Sequence, residues 1–156
     1  MNMAEAINVC FVKYATFSGR ARRSEYWWFS LFTFILYILF SLIGREMNTS
    51  ISFLEIAWIV AFFVPSYAVA FRRLHDINLS GWWILLPLAS GVPLWFGSDI
   101  LNASPGSMPG FAFLGLGVVF IVLPIVWLAW PGTKGANRFG PDPLRPDLAE
   151  GVSDRT

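Results

Sequence analysis

Polar residues gather in three clusters along this chain, at residues 17–28, 72–83 and 135–143. Each cluster combines arginine with a carboxylate side chain, and the second also holds the single histidine of the sequence. Guanidinium groups bind phosphates and carboxylates, and histidine can transfer a proton near neutral pH. The chemistry open to these residues is therefore anion binding or proton transfer.

The first cluster carries three arginines, Arg20, Arg22 and Arg23. Near an anionic membrane surface each such charge contributes about 1 kcal/mol of attraction. Two interpretations stay open for them. The arginines only anchor the adjoining helix at the surface, or they form a specific pocket for a phosphate or a lipid headgroup.

Glu25 belongs to the same cluster and stands directly before an apolar stretch. A carboxylate without a counter-ion is costly there, because loss of water disfavours its charged form. We therefore expect Glu25 to have a cationic partner, and Arg72 or Arg73 of the second cluster is the natural candidate.

His75 and Asp76 are neighbours in the second cluster, a pairing that invites a general-base interpretation. Adjacent residues rarely face each other, however, so an interfacial hydrogen-bonding role is favoured for His75. Asp76, Asn78 and Ser80 are typical of a turn followed by a helix cap. Since the sequence has no second histidine and only one cysteine, Cys10, we expect no metal site, and we assign no catalytic residue.

Two glycines and a Pro-Asp-Pro turn surround Asn137 and Arg138 in the third cluster, which predicts a structured loop. We expect Asn137 and Arg138 to pack this loop back onto the other two clusters. The hypothesis is that all three clusters form one polar pocket. Its candidate residues for binding a headgroup or a phosphate are Arg20, Arg23, Glu25, Arg72, Arg73, His75, Asp76, Asn137 and Arg138.

The rest of the chain is strongly apolar. Of its 156 residues, 56% are hydrophobic and 13% are charged, and the mean hydropathy is +0.58, whereas a soluble domain carries about 25% charged residues. The net charge of +1 argues against nucleic-acid binding by bulk charge. The composition predicts an integral membrane protein, and no residue pattern indicates a cofactor.

Four apolar stretches approach the roughly 20 residues that a membrane-spanning helix needs. They are residues 26–43, 51–71, 81–98 and 111–130. The third stretch contains Pro87 and Pro93, so a re-entrant loop is the alternative to a full crossing. Glu55 is the one charge within a stretch, and we expect it at the outer interface near Arg45 rather than at a proton site.

Basic residues sort to one side of these stretches. With four crossings and both termini in the cytoplasm, ten of the eleven Lys and Arg residues lie inside and only Arg45 lies outside. Cytoplasmic loops collect Lys and Arg, so the charges favour four crossings over three. Six tryptophans also stand near the inner ends of the stretches, where amphipathic rings settle: Trp27, Trp28, Trp82, Trp83, Trp127 and Trp130.

The N-terminal residues predict a further short helix. Asn2 followed by Glu5 is the pattern of a capping box. Apolar residues then recur at helical spacing, at Met3, Ile7, Phe11 and Tyr14. We expect an amphipathic helix over residues 3–14 that lies on the inner membrane surface.

These patterns together predict an all-α fold, a four-helix polytopic membrane bundle with a short amphipathic N-terminal interfacial helix. Residues 1–143 form the single membrane domain, and residues 144–156 are a polar tail that we expect to be disordered.

The three clusters, in this order and at this spacing, resemble the motifs of the small bacterial inner-membrane proteins like YhaH and YhaI, the domain of unknown function 805 family. The motifs stand here as FSGRARRSEYWW, RRLHDINLSGWW and GANRFGPDP. The resemblance covers roughly residues 11–143. It implies four helices and a bacterial inner-membrane location, and it implies no activity.

The favoured function is that of a non-enzymatic, multi-pass inner-membrane protein whose Arg- and Trp-rich cytoplasmic face binds anionic lipid headgroups or a partner protein. Membrane lipids are the expected partners, and a homo-oligomer stays open. One alternative is an oligomeric transporter of a small solute or ion, because four helices alone enclose little space. The other is a membrane enzyme acting on a lipid or polyprenyl phosphate, with Arg20, Arg72 and Arg73 holding the phosphate.

Overall fold

The computed structural model of the chain describes residues 1–46 and 53–145, and for residues 44–46 and 53–55 it describes the backbone alone. Four helical segments are long and apolar enough to cross a membrane, which confirms the predicted all-α, four-span class. They are Arg23–Ile43, Ile56–Asp76, Gly81–Ala103 and Met108–Ala129. The expectations for Arg45, for Glu55 and for the tail beyond residue 145 lie outside the described residues or side chains.

The first helix, α1, covers Met3–Val12. The predicted capping box is present, because the Asn2 side chain accepts from the Glu5 backbone N–H at 2.8 Å while the Glu5 carboxylate accepts from the Asn2 backbone N–H at 3.1 Å. Ala6 and Cys10 are buried on the inner side of α1. This helix therefore packs on the bundle, two residues shorter than predicted.

Helices α2, Arg23–Glu46, and α3, Phe53–Asp76, pack against each other. Phe29 of α2 and Val69 of α3 meet in a core cluster together with Cys10 of α1 and Ala21. Farther along, Trp58 of α3 donates its indole N–H to the Thr33 carbonyl of α2 at 3.0 Å.

The apolar stretch expected for the second span ends at residue 71, but the helix continues to Asp76. Arg72, Arg73 and His75 therefore lie on α3 itself and not on a loop. The last turn of a helix favours cations, because its unpaired carbonyl groups carry partial negative charge. Hydropathy shows where the apolar stretch ends, and here the helix continues beyond that residue.

The third span is a broken helix. A 3₁₀ turn, Gly81–Leu85, leads into the short α4, Leu86–Ala89, and then into α5, Gly91–Ala103. The prolines that suggested a re-entrant loop lie at the joints between these pieces, where a missing N–H is tolerated. The Pro87 carbonyl accepts both the Ser90 hydroxyl at 2.6 Å and the Ser90 backbone N–H at 3.1 Å.

The last helix, α6, covers Met108–Ala129 and packs closely on α5 through glycine. A Cβ atom at Gly97 would come within 2.8 Å of the Leu114 backbone nitrogen, and one at Gly117 would come within 2.5 Å of the Leu94 side chain. Small residues allow such close approach in membranes, where van der Waals packing holds helices together.

Candidate functional site

The three clusters meet at one end of the bundle. This end is formed by the start of α2 with the residues before it, by the last turn of α3 and by the loop that follows α6, residues 130–145. We call it the polar face. The structure brings the three clusters into contact, since Arg20 of the first touches Asp76 of the second and Gly135 of the third.

Asp76 is the centre of the polar face. Its Oδ1 accepts from Arg20 Nε at 2.9 Å, and its Oδ2 accepts from Arg73 Nη1 at 2.5 Å. Its backbone carbonyl accepts from the Thr133 N–H at 2.8 Å. Gly132 lies so close that a Cβ there would come within 2.0 Å of Oδ2. The Asp76 carboxylate is thus buried between two guanidinium groups, and the expected turn follows it at residues 77–78, with Ser80 at the N-cap position of the 3₁₀ turn but without a side-chain cap hydrogen bond.

Arg20 and Arg73 donate their remaining N–H groups to backbone carbonyls. Arg20 donates to Gly135 and Thr133, each at 2.6 Å. Arg73 donates to Leu128 at 3.0 Å and to Trp130. The last carbonyl groups of a helix have no partner within the helix, and Arg73 supplies one at the end of α6. Both arginines thus join the loop after α6 to the other two clusters.

Glu25 and Arg72 form a second buried ion pair, with Oε1 and Nη1 2.6 Å apart and both side chains almost fully buried. This confirms the prediction of a cationic partner for Glu25 and selects Arg72 over Arg73. Among the described residues, Nε and Nη2 of Arg72 have no hydrogen-bond partner. Cys10 lies beside this pair, and burial, reinforced by the Glu25 carboxylate, raises the pKa of its thiol to about 12.

His75 faces away from Asp76. Its ring stacks on Phe139, with the centroids 3.9 Å apart and the planes 4° from parallel, and its Nδ1 lies 3.1 Å from the Gly19 carbonyl. Since a carbonyl oxygen only accepts, Nδ1 carries a proton in this contact. The interfacial hydrogen-bonding role fits this geometry, whereas a His75–Asp76 dyad is not formed.

The loop after α6 is a tight structure that Asn137 and Asp142 hold in place. Asn137 donates to the His75 carbonyl at 2.9 Å and, through its backbone, pairs with Gly140 at 3.0 Å. Arg138 donates to the Asn78 carbonyl at 3.0 Å. As predicted, Asn137 and Arg138 attach the loop to the second cluster.

Asp142 is ionised at neutral pH. Its carboxylate accepts the backbone N–H groups of Leu144 at 2.9 Å and Gly135 at 3.1 Å. The hydrogen bond from Leu144, with a smaller contribution from Gly135, lowers the pKa of Asp142 below its ordinary value. The loop is therefore fixed around a negative charge.

A cavity of about 420 Å³ opens on the polar face between α2 and this loop. Its cationic side chains are those of Arg20, Arg22, Arg23 and Lys134, and its carboxylates are those of Asp76 and Asp142. A second cavity of about 350 Å³ adjoins it and shares Arg20, Arg22 and Pro143 as lining residues. Arg22 Nε donates to the Pro143 carbonyl at 2.7 Å and separates the two cavities.

The structure separates the predicted binding residues into buried and exposed side chains. Arg20, Arg72 and Arg73 are buried on internal partners, whereas Arg23 and Lys134 are exposed at the rim of the larger cavity. Neither donates a side-chain hydrogen bond to the part of the chain that the structure describes. Our candidate set omitted Arg22, Ser24 and Lys134. The signal that could have found Lys134 is its place just past Trp130, at headgroup level.

No group of three or more His, Cys, Asp or Glu side chains that could hold a metal ion occurs within residues 1–46 and 53–145. Exposed tryptophan rings, by contrast, are frequent near the polar face: Trp27, Trp28, Trp82, Trp83 and Trp130. Such rings settle at the membrane–water interface. Fold and site together define a four-span membrane protein with a buried ion-pair network and a basic cavity at one end.

The chain belongs to the DUF805 family, described as "Protein of unknown function", which matches residues 14–141. It is 37% identical over 134 residues to the inner membrane protein YhaH of Escherichia coli, a match that covers 83% of this chain and 88% of YhaH. It is 35% identical over 130 residues to the inner membrane protein YhaI of the same organism, covering 83% and 87%. The uncharacterized protein YiiR of Escherichia coli is 28% identical over 137 residues, covering 81% and 85%. No solved structure matches the chain.

Proposed function

We propose that this protein is a non-enzymatic inner-membrane protein whose polar face lies in the cytoplasm and binds the phosphate of anionic lipid headgroups. The observation that carries the proposal is the 420 Å³ cavity, with Arg23 and Lys134 exposed at its rim. The inner-membrane location rests on the relatives YhaH and YhaI.

Charge balance within the polar face supports this assignment. Asp76 is shared by Arg20 and Arg73, and Glu25 neutralises Arg72. These buried charges hold the walls of the cavity in place. Arg22, Arg23 and Lys134 then add three positive charges, and within the cavity lining only the Asp142 carboxylate offsets them. An anion is the ligand that such a surplus favours.

The position of the cavity favours a lipid over a soluble anion. Arg23 begins α2, and Lys134 follows the end of α6 by five residues. Both residues are therefore placed where spanning helices leave the hydrocarbon layer, at the level of lipid phosphates. The exposed tryptophans near this end occupy the same layer.

The orientation is tested by fusing a reporter after the last residue. Green fluorescent protein fused there is expected to fluoresce in cells, and alkaline phosphatase in the same place is expected to stay inactive, because the basic polar face faces the cytoplasm. A fusion at residue 104, in the loop between α5 and α6, is the matched control with the opposite expectation. Active phosphatase at the C-terminus would contradict the proposed orientation.

Headgroup binding is tested with the double variant Arg23→Gln/Lys134→Gln. Each charge near an anionic surface contributes about 1 kcal/mol, so the variant is expected to bind phosphatidylglycerol about 30-fold more weakly. Native mass spectrometry of the purified protein titrated with phosphatidylglycerol measures this change, and phosphatidylcholine gives the zwitterionic reference.

The control is Arg145→Gln, which removes an exposed positive charge that does not line the cavity. It is expected to change binding less than threefold. An equal loss in the control would show that bulk charge and not the cavity attracts the lipid. A wild-type protein that binds both lipids equally would refute the proposal and favour a protein partner.

A further inference from the structure

The segment before α2, residues 1–19, leaves the polar face and returns to it. At its start, Met1 and Glu5 line the smaller cavity together with Arg22 and Pro143. At its end, the Gly19 carbonyl contacts the His75 ring. Both ends of the segment therefore lie at the level of the polar face.

The middle of this segment lies far below that level. The Phe11 ring packs between the rings of Phe29 and Phe62, with centroid distances of 6.1 and 6.0 Å. Phe29 is six residues from the start of α2, and Phe62 is 14 residues from the end of α3. At 1.5 Å per residue these rings attach roughly 9 and 21 Å from the helix ends. The end of α1 thus reaches towards the middle of a bilayer about 30 Å thick.

A hydrogen bond attaches the middle of this segment to α3. Pro65 lies within α3 and has no N–H, so the Ala61 carbonyl loses its partner within the helix. The Tyr14 hydroxyl donates to that carbonyl at 2.7 Å. A backbone carbonyl at membrane depth must find a donor within the protein, because no water is present there. Tyr14 supplies this donor from a segment that enters and leaves on one side.

Large apolar side chains are exposed in the middle of the segment, which favours a position within the hydrocarbon layer. Phe11, Val12, Tyr14 and Phe17 are all exposed, and Val12 has 76% of its surface uncovered. Lys13, the one cation in this stretch, lines the smaller cavity with Glu5 and Glu25. A lysine below the interface turns its ammonium group back to the polar layer in this way.

We propose that residues 1–19 form a re-entrant segment that inserts beside α2 and α3 into one leaflet of the bilayer, where its exposed apolar side chains contact lipid acyl chains. A helix lying on the membrane surface, as expected from the sequence, would be buried only about 5–10 Å deep, so depth distinguishes the two arrangements. The proposal is independent of headgroup binding, because it rests on the Tyr14 and Phe11 contacts and not on the basic cavity.

Spin labelling tests the depth of the segment. Val12→Cys is made in a Cys10→Ala background, labelled with a nitroxide and reconstituted into phosphatidylethanolamine–phosphatidylglycerol vesicles. The matched control is Leu144→Cys in the same background, which has a similar exposure of 71% but lies on the polar face. The nitroxide relaxation caused by oxygen is compared with that caused by a water-soluble nickel chelate, and the ratio of the two gives the depth of each label below the phosphates.

The Val12 label is expected more than 10 Å deep and the Leu144 label at the aqueous surface. A Val12 label at 10 Å or less would overturn the proposal. If Cys10→Ala does not fold, Val12→Cys is labelled with Cys10 in place, because the Cys10 side chain is fully buried and inaccessible to the label in the folded protein. The same depth limit then decides.

Discussion

Asp76→Asn is expected to destabilise the folded protein by about 3–5 kcal/mol, the range found when one partner of a buried ion pair is removed. The carboxylate is the shared counter-ion of two guanidinium groups that are both almost fully buried, those of Arg20 and Arg73. Asparagine keeps the size of the side chain and removes its charge. Two buried cations would then remain without a counter-ion.

The loss spreads beyond the ion pairs, because Arg20 and Arg73 also fix the loop after α6. Without Asp76 to orient them, their hydrogen bonds to Thr133, Gly135 and Leu128 have no anchor. Thermal unfolding in detergent micelles measures the effect. A loss of this size lowers the melting temperature by roughly 10 °C in a chain of this length.

Asp142→Asn is the matched control for Asp76→Asn. Asp142 carries the same carboxylate on the same face, but it is not fully buried and accepts backbone N–H groups only. The expected loss is about 1 kcal/mol, the value of an ordinary hydrogen bond. Equal losses in the two variants would show that Asp76 is no more than another loop contact.

The sequence predicts the membrane architecture because hydropathy measures the property that a bilayer selects. Four apolar stretches became four long helical segments. The end of α3 was not predictable in this way, because Arg72, Arg73 and His75 stop the apolar run without stopping the helix. Their partners come from α2, from α6 and from residues before α2, and hydropathy carries no information about contacts between distant segments.

The partner of Glu25 could be predicted in part from physical chemistry alone. A carboxylate at the entrance to a membrane needs a cation, and that requirement alone narrows the choice to Arg72 or Arg73. Adjacent residues point about 100° apart around a helix, so only the rotation of α3 decides which faces α2. The structure selects Arg72 for Glu25 and directs Arg73 to the end of α6.

Two other features depend on the same long-range information. A proline at position 65 of a helix leaves the carbonyl of Ala61 without a backbone donor. The local sequence gives no indication that the donor is Tyr14, which lies 47 residues earlier in the chain. Arg20 and Arg73 are paired with Asp76 and Arg72 is paired with Glu25, whereas Arg23 and Lys134 are exposed. Residue type predicted an anion-binding face, and the tertiary contacts determine which cations remain available.

The Glu25–Arg72 pair should behave differently from the Asp76 centre when both partners are removed. Arg72→Met alone leaves a buried carboxylate and Glu25→Leu alone leaves a buried guanidinium, so each is expected to lose about 3–5 kcal/mol. The double variant Glu25→Leu/Arg72→Met leaves neither charge. It also removes Nε and Nη2 of Arg72, which have no partner among the described residues. Replacement of a buried ion pair by apolar side chains is often neutral, and we expect the double variant within about 1 kcal/mol of the wild type.

A double-mutant cycle, followed by thermal unfolding in micelles, measures this coupling directly. The control cycle uses Glu5→Leu and Arg138→Met, which remove exposed charges in separate elements, and its two effects are expected to add. Additive losses for Glu25 and Arg72 would contradict a coupled pair. Recovery in the double variant would mean that this pair is dispensable for folding, and that lipid binding at the basic cavity could then be measured in a protein with one fewer buried guanidinium.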